Sequence, residues 1–321
     1  MQDPALAYLR HGQTPFFRLP TSLDPGGADL AILGVPHDGG TTYIPGARLA
    51  PYHVRRVSAL VQSFHPEHRL DVFAELRCVD GGNIVFPPFD REAMRAAVEA
   101  EIARLAAAHV VPVVIGGDHS ITLPILRALA NRHGPLAVVH LDAHLDISDA
   151  DVWGDAFHHG TPFKHAIQDG LIEDGQLYQI GIRGPRGGAH DDALVRDRGH
   201  TAISAEQVGE RGPRRIGNAL REQIGRRPVY VTCDVDAIDP AFAPGTGTPV
   251  PGGLTAREAL GLVRGLGGLD ICGADLVEYC PPLDHADITA HLAAHLTWEM
   301  IALVAVHHRA SREPAGTTRD S

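Results

Sequence analysis

Cysteine and aromatic residues are scarce in this sequence. Only four of its 321 residues are cysteines, and no two of them form a Cys-x-x-Cys pair. This spacing does not support a zinc knuckle or a redox motif. A few unpaired cysteines in a large chain are typical of a reducing cytoplasm, where we expect the protein to be located. Aromatic residues make up 5% of the chain, so aliphatic side chains must fill the core.

Signals for export or membrane insertion are also missing. Residues 1–10 lack the basic stretch followed by an apolar stretch that marks a signal peptide. No uninterrupted apolar run reaches the ~18 residues needed to cross a bilayer. The net charge is −11, and such a chain repels nucleic acids and anionic membranes. We therefore expect neither of these as a partner, and we expect a cationic small-molecule substrate.

Short apolar runs alternate with helical patterns along the chain. Strands are predicted at residues 30–35, 76–79, 110–115, 136–141, 177–182, 228–233 and 271–277. Helices are predicted at residues 90–109, 120–130 and 287–308, and Thr255 with Glu258 matches a capping box that begins another helix. Mostly apolar strands separated by helices predict an α/β fold with a parallel sheet covered on both faces.

The chain has no internal linker and no internal repeat. We therefore expect a single domain from residue 29 to residue 310. Residues 1–28 are rich in proline and glycine and precede the first strand, so we expect an arm that lies over the surface or on a neighbouring subunit. Residues 311–321 are expected to form a frayed tail.

Three segments at the ends of predicted strands carry residues suited to catalysis. In the first, Gly116-Gly117-Asp118-His119-Ser120, two glycines permit a sharp turn that presents His119 at the edge of the sheet. Ser120 is the expected N-cap of the following helix. A single histidine in a turn is more often a surface or structural residue, so this segment indicates a site only together with the others.

The second segment places Asp142, His144 and Asp146 at alternate positions after an apolar strand. In an extended chain, such residues lie on one face. Burying these charges without partners costs several kcal/mol each, and a divalent cation is the simplest compensation. The alternative is a solvated strand end.

The third segment repeats the pattern with Asp234 and Asp236, although Asp239-Pro240 also fits an ordinary turn. Together the three segments supply two histidines and four aspartates. Six ligands exceed what one ion needs from a protein, and two ions about 3.5–4 Å apart fit better. Imidazole and carboxylate without thiolate favour Mn²⁺ or a similar ion. The balance of charge in such a centre favours a cationic substrate over a phosphate ester.

The three segments, in this order, resemble the signatures of the ureohydrolase superfamily, to which arginases and agmatinases belong. Four further segments extend the resemblance: TYIPGAR at 42–48, HGTPF at 159–163, PGTGTPVPGGL at 244–254 and DLVE at 275–278. The first of these departs from the family pattern, because Ile44 replaces the usual arginine. The resemblance runs from about residue 30 to residue 309, which is nearly the whole chain.

The resemblance implies a three-layer α/β sandwich with a mostly parallel central sheet, a fold shared by arginases and related deacetylases. It also implies a homo-oligomer, commonly a trimer or hexamer, and two Mn²⁺ per subunit, with Ni²⁺ as an alternative. One ion would be bound by His119, Asp142, Asp146 and Asp234, and the other by Asp142, His144, Asp234 and Asp236. In that arrangement Asp142 and Asp234 bridge the two ions.

The resemblance further implies that His159 shuttles protons and that Glu278 pairs with the guanidinium group of the substrate. The expected reaction is hydrolysis of a guanidino compound to urea and an amine. A metal-activated hydroxide would attack the guanidinium carbon, and a nearby histidine would relay a proton to the leaving amine. Without the resemblance, His159 would more often be read as a surface residue or as a cap of the helix that starts near Thr161, and Glu278 could equally form a salt bridge at the end of the sheet.

Agmatine is the favoured substrate, because PGTGTPVPGGL resembles the agmatinase type and Phe157 stands where arginases hold the substrate carboxylate with asparagine. Asp149, Asp151 and Asp155 could attract the distal ammonium group, or they could form a solvated acidic loop. Guanidinobutyrate, guanidinopropionate, proclavaminate-type substrates, guanidine and biguanides are the alternatives. Histidines that depart from the expected pattern leave the choice of substrate and metal open: His158, His291 and His295.

Two other classes of protein are alternatives to a ureohydrolase. A related deacetylase would cleave an acyl amide with one Zn²⁺, but such enzymes keep fewer of these ligands. A non-catalytic subunit would not need His159, Glu278 and all six ligands. The intact set of residues argues against both classes.

Overall fold

The protein is built on an eight-stranded sheet in which every described pair of neighbouring strands is parallel. The computed structural model describes residues 14–22, 24, 27–149, 153–186, 188 and 192–312. The strands of the sheet are β1 (Leu30–Gly34), β4 (Cys78–Asn83), β5 (Val111–Ile115), β6 (Leu136–Leu141), β7 (Ile172–Ile182), β8 (Thr201–Ser204), β9 (Pro228–Asp234) and β10 (Asp270–Val277). Their order is β4-β1-β5-β10-β9-β6-β7-β8. A small antiparallel hairpin consists of β2 (Phe64–His65) and β3 (Leu70–Asp71).

Helices cover both faces of the sheet. The α-helices of the described chain are α1 (Ala50–Ser58), α2 (Val72–Glu75), α3 (Arg91–Ala107), α4 (Thr122–His133), α5 (Pro162–Gln168), α6 (Ala193–Asp197), α7 (Ala205–Arg211), α8 (Pro213–Ile224), α9 (Ala256–Gly265) and α10 (Ile288–Arg312). Apolar residues of α3, α4 and α5 pack with one face of the strands, and those of α1, α7, α8, α9 and α10 pack with the other. The predicted α/β sandwich with a parallel central sheet is therefore confirmed.

Several local predictions match the structure closely. β6 has the predicted bounds, α3 lies within the predicted helix and is capped by Asp90, and Thr255 and Glu258 form the predicted capping box at the start of α9. Pro112 is tolerated in β5 because β10 pairs with this strand only from Val113 onward. These features depend on short-range patterns, which explains why they could be predicted.

Three local predictions were wrong or incomplete. Ser120 does not cap the next helix: Asp118 accepts from the Ser120 amide and starts a short 3₁₀ helix, and α4 begins only at Thr122. Strand β4 continues through residues 80–82, predicted as a turn, because pairing with β1 resumes after an irregularity. The edge strand β8 and the β2–β3 hairpin were missed, since such short segments carry little periodicity.

The N-terminal end of the described chain packs against the rest of the protein, and its C-terminal end continues the last helix. In the described part of the predicted arm, Phe16 and Phe17 are buried, and the Phe16 amide donates to Asp80 at 2.9 Å. Ser311 and Arg312, predicted as part of the tail, belong to α10; residues 1–13 and 313–321 lie outside the described residues. Among the described helices, α10 alone is long and apolar enough to cross a membrane, but most of that stretch is buried in the protein.

Candidate metal centre

The strand order brings distant segments of the sequence to one edge of the sheet. β5, β10, β9 and β6 are consecutive neighbours, and parallel strands present their carboxyl ends at the same edge. His119 follows β5, Glu278 follows β10, Asp234 ends β9 and Asp142 follows β6. The three predicted segments therefore meet, and Glu278 lies among them.

His119 points one ring nitrogen at three carboxylates. Its Nδ1 lies 3.1 Å from Asp142, 3.0 Å from Asp146 and 3.3 Å from Asp234. This nitrogen is buried, yet no group in the described part of the chain meets hydrogen-bond geometry with it. The other ring nitrogen, Nε2, lies 3.0 Å from the hydroxyl of Thr232. A buried, unpartnered imidazole nitrogen surrounded by carboxylate oxygens fits a metal ion.

His144 forms a second group that shares Asp142 with the first. Its Nδ1 lies 3.0 Å from Asp236 and 3.4 Å from Asp142. Potential ligand atoms of Asp142, His144 and Asp236 are close enough together to hold one ion, as are those of Asp142, Asp146, His119 and an additional residue, His140. The His144 side chain is 41% exposed, so the second group faces solvent. A carboxylate common to two adjacent groups is the arrangement expected of a bridging ligand.

The carboxylates of the cluster lie close to one another and to the two imidazoles, and they shift the pKa values of their neighbours. Burial lowers the pKa of His119, but the carboxylates of Asp142, Asp146 and Asp234 outweigh it and raise the pKa well above the usual value. Burial also lowers the pKa of His144, but the carboxylates of Asp236 and Asp142 outweigh it and raise the pKa to about 12. Burial and the neighbouring carboxylates raise the pKa of Asp234 well above its usual value. Protons therefore occupy positions that cations could take.

Glu278 and His159 face each other beside the cluster. Oε1 of Glu278 lies 2.9 Å from Nδ1 of His159 and also accepts from the His119 amide at 2.9 Å. Nε2 of His159 lies 2.7 Å from the hydroxyl and 3.2 Å from the amide nitrogen of Thr42. Burial lowers the pKa of His159, but the Glu278 carboxylate outweighs it and raises the pKa to about 9. Burial raises the pKa of Glu278.

Two predicted site residues adopt backbone conformations that are uncommon outside glycine. Asp146 has φ of 52° and Glu278 has φ of 60°. Both are held by backbone hydrogen bonds: the Phe163 amide donates to the Asp146 carbonyl at 3.1 Å, and the Glu278 amide donates to the Gly117 carbonyl at 2.8 Å. Such conformations cost of order 1–3 kcal/mol and cluster at functional sites.

Four buried polar residues near the cluster were not predicted as site residues. Asp118 accepts from the amides of Gly40 and Ser120 at 2.7 and 3.0 Å and so ties the 37–42 segment to the site. His140, Thr232 and Gln179 lie in strands beneath the predicted ligands. A signal for His140 was available, since it is the one polar residue in the apolar strand β6.

The loop before His159 is held by ion pairs and ring contacts. Asp149 pairs with Lys164, and Asp155 pairs with Arg91. Phe157 stacks on His165 with ring centroids 4.6 Å apart and lies under the guanidinium of Arg95. Two of the three acidic residues predicted to attract an ammonium group are therefore paired with cations of this chain, and the third, Asp151, lies outside the described residues.

A parallel α/β sandwich with imidazoles and carboxylates gathered at its carboxyl edge defines a metal-dependent class of α/β protein. The sequence model of the arginase family matches residues 28–302. The chain belongs to this family, whose members are hydrolases of amidino C–N bonds that use a dinuclear metal centre.

Enzymes that are named for different substrates resemble the chain over nearly its full length. It is 44% identical to proclavaminate amidinohydrolase of Streptomyces clavuligerus, over 94% of this chain and 96% of that protein. The solved structure of that enzyme matches with a TM-score of 0.87, covering 92% of this chain and 97% of the other. Guanidinopropionase of Pseudomonas aeruginosa is 42% identical over 92% of each chain, and mitochondrial agmatinase of Gallus gallus is 38% identical over 91% of this chain and 86% of that protein.

Proposed function

We propose that this protein uses two metal ions to hydrolyse a guanidino compound to urea and an amine. The observation that carries the proposal is the pair of histidine–carboxylate groups that share Asp142. The proposed ligands of the two ions are those predicted from the sequence: His119, Asp142, His144, Asp146, Asp234 and Asp236. Hard carboxylate oxygens outnumber imidazoles in this set, which favours Mn²⁺, with Ni²⁺ as the second candidate.

The side chains around the proposed ligands suit each part of this reaction. When bound, two such ions would lower the pKa of a water molecule and so supply a nucleophile near neutral pH. Glu278 is a buried carboxylate that can bind a guanidinium group through two oxygens. Departure of the amine requires a proton, and His159, whose pKa the Glu278 carboxylate raises to about 9, can supply one. Thr42 fixes the orientation of the His159 ring through its Nε2.

Agmatine remains the substrate proposed from the PGTGTPVPGGL segment. A guanidino carboxylic acid is the second candidate, and the loop before His159 supports it. Asp149 and Asp155 are already paired with Lys164 and Arg91, so they offer little free negative charge to a distal ammonium group. Two of the similar enzymes, proclavaminate amidinohydrolase and guanidinopropionase, are named for substrates that carry a carboxylate.

A urea-release assay tests both the proposed hydrolysis and the proposed substrate. The full chain would be loaded with Mn²⁺ or with Ni²⁺ and offered agmatine, guanidinobutyrate, guanidinopropionate, arginine and guanidine. We expect urea from at least one of these substrates and none from an Asp234→Ala variant. No urea from any of them with either metal would contradict the proposed function, and full activity with one Zn²⁺ per chain on an acyl amide would favour a deacetylase. Assembly as a trimer or hexamer and a cytoplasmic location stay predictions.

A further inference from the structure

A row of buried polar residues crosses the sheet beneath the proposed metal ligands. Asp275 of β10, Thr232 of β9, His140 of β6 and Gln179 of β7 are successive register partners on adjacent strands. All four are completely buried. His140 precedes Asp142 by two residues, as Thr232 precedes Asp234, so each lies on the same face as that ligand and one layer deeper. The proposed reaction gives this row no role.

The amide group of Gln179 has one orientation that satisfies its neighbours. Its Nε2 lies 2.7 Å from the carbonyl oxygen of Leu145 and 3.0 Å from Nδ1 of His140. A carbonyl oxygen can only accept, so the amide nitrogen must face Leu145; the opposite orientation would bring two oxygens to 2.7 Å. The nitrogen carries two hydrogens, and the second is directed at Nδ1 of His140.

This orientation fixes where His140 carries its proton. A nitrogen that accepts a hydrogen bond is unprotonated, so Nδ1 is bare and the proton of the neutral ring must be on Nε2. Nε2 lies 2.7 Å from Oδ2 of Asp142, and the ring is held in place by Phe163, which stacks on it at a centroid distance of 4.0 Å. The Nε2 proton therefore points at the carboxylate that the two proposed metal sites share.

These contacts decide between two roles for His140. By distance alone, its Nε2 could join His119, Asp142 and Asp146 as a direct metal ligand. A metal ligand must offer a lone pair, however, and the hydrogen bond from Gln179 places a proton on that nitrogen. We propose that His140 and Gln179 form a positioning pair, in which Gln179 sets the tautomer of His140 and His140 holds the shared carboxylate of Asp142 by donating to it. This inference rests on the proposed metal-dependent function.

The protonation of His140 can be measured directly. Long-range ¹H–¹⁵N NMR of the full chain labelled with ¹⁵N-histidine distinguishes the two ring nitrogens, and the His140 signals are those lost in His140→Gln. We expect a proton on Nε2 and none on Nδ1, both in the metal-free protein and after loading with diamagnetic Zn²⁺. A proton on Nδ1, or coordination of Zn²⁺ by Nε2, would overturn the proposal.

A substitution in Gln179 tests the consequence for metal binding. Gln179→Leu removes the hydrogen bond to His140, and we expect Mn²⁺ affinity to fall by about 10- to 100-fold, the usual effect of losing an outer partner of a metal ligand. At saturating Mn²⁺ the variant should still bind as many ions as the wild type and keep its KM. The matched control is Gln176→Leu on the same strand, where the side chain accepts from the Tyr178 hydroxyl and from no other described residue; its Mn²⁺ affinity should not change.

The outcomes separate this proposal from the proposed function. Unchanged Mn²⁺ affinity in a folded Gln179→Leu variant would reject the positioning pair and leave the hydrolase intact. A wild-type chain that binds no Mn²⁺ or Ni²⁺ would instead reject the proposed function. If Gln179→Leu does not fold, the NMR result on the wild-type protein decides.

Discussion

Nδ1 of His159 and Oε1 of Glu278 lie 2.9 Å apart, and both side chains are buried. The Glu278 carboxylate is therefore already paired with an imidazole. A guanidinium substrate that binds Glu278 must share this carboxylate with His159. The residue proposed to bind substrate and the residue proposed to deliver the proton thus form one unit. This pairing leads to the first prediction.

Replacing His159 with alanine should slow turnover without emptying the metal centre. The variant loses the group that gives a proton to the leaving amine, an effect of about 10²–10⁴-fold on kcat. Bound metal, measured by elemental analysis, should equal that of the wild type, because none of the proposed ligands is changed. Loss of metal in this variant would show that His159 has been misassigned.

Replacing either proposed bridging aspartate should remove both metal and activity. Asp142→Ala and Asp234→Ala each delete an oxygen donor that two sites share, so we expect loss of urea release together with loss of bound metal, measured on the same samples. Asp149→Ala, which changes an exposed carboxylate paired with Lys164, is the control and should retain its metal. Near-normal turnover in either bridging variant would contradict the assignment.

Metal binding should release protons, and the affinity should rise with pH. The pKa of His144 is raised to about 12 and that of His119 is raised well above its usual value, so both rings are protonated at neutral pH in the metal-free protein. Both must lose a proton to bind a cation, which predicts release of about two protons per chain or more. Mn²⁺ titration in weakly buffered solution, followed by a pH indicator, would detect them; binding that is independent of pH would refute this account.

Neutralising the aspartates of the loop before His159 should have little effect on the KM for agmatine. Asp149 and Asp155 are already paired with Lys164 and Arg91, so Asp149→Asn and Asp155→Asn should each change the KM for agmatine by less than about threefold, the scale of one exposed ion pair. KM values for agmatine and guanidinobutyrate should be measured in parallel. A selective rise of tenfold or more for agmatine would mean that the loop binds its ammonium group.

Gly117 should not tolerate a side chain. A Cβ at this position would lie 1.6 Å from the carbonyl oxygen of His37, and relief of that clash would disturb the Gly117 carbonyl that holds Glu278. We expect Gly117→Ala to destabilise the protein by at least about 2 kcal/mol. The control is Gly209→Ala in α7, where nothing lies within 4 Å; it should raise stability by about 0.5–1 kcal/mol. The stabilities of the two variants can be compared by thermal unfolding. Equal stability of Gly117→Ala and Gly209→Ala would contradict the expectation.

Much of the candidate site could be predicted because its signals are local. The alternation of Asp142, His144 and Asp146, and of Asp234 and Asp236, places charged groups on one face of an extended chain whatever the rest of the fold does. The strands that precede them are mostly apolar on both faces, which indicates burial between helices. The cap at Asp118 was missed because Ser120 is an equally good capping residue, and only the backbone conformation distinguishes the two.

The sequence by itself determined which residue types stand at the ends of the strands and that those strands are buried. Only the tertiary structure decided which strands are neighbours. It placed β10 and β9 between β5 and β6, set Gln179 beside His140 and paired Asp155 with Arg91. The physical reason is one of range: period-two alternation and capping act within a few residues. Strand order, by contrast, is fixed by burying whole faces of the sheet under helices from distant parts of the chain.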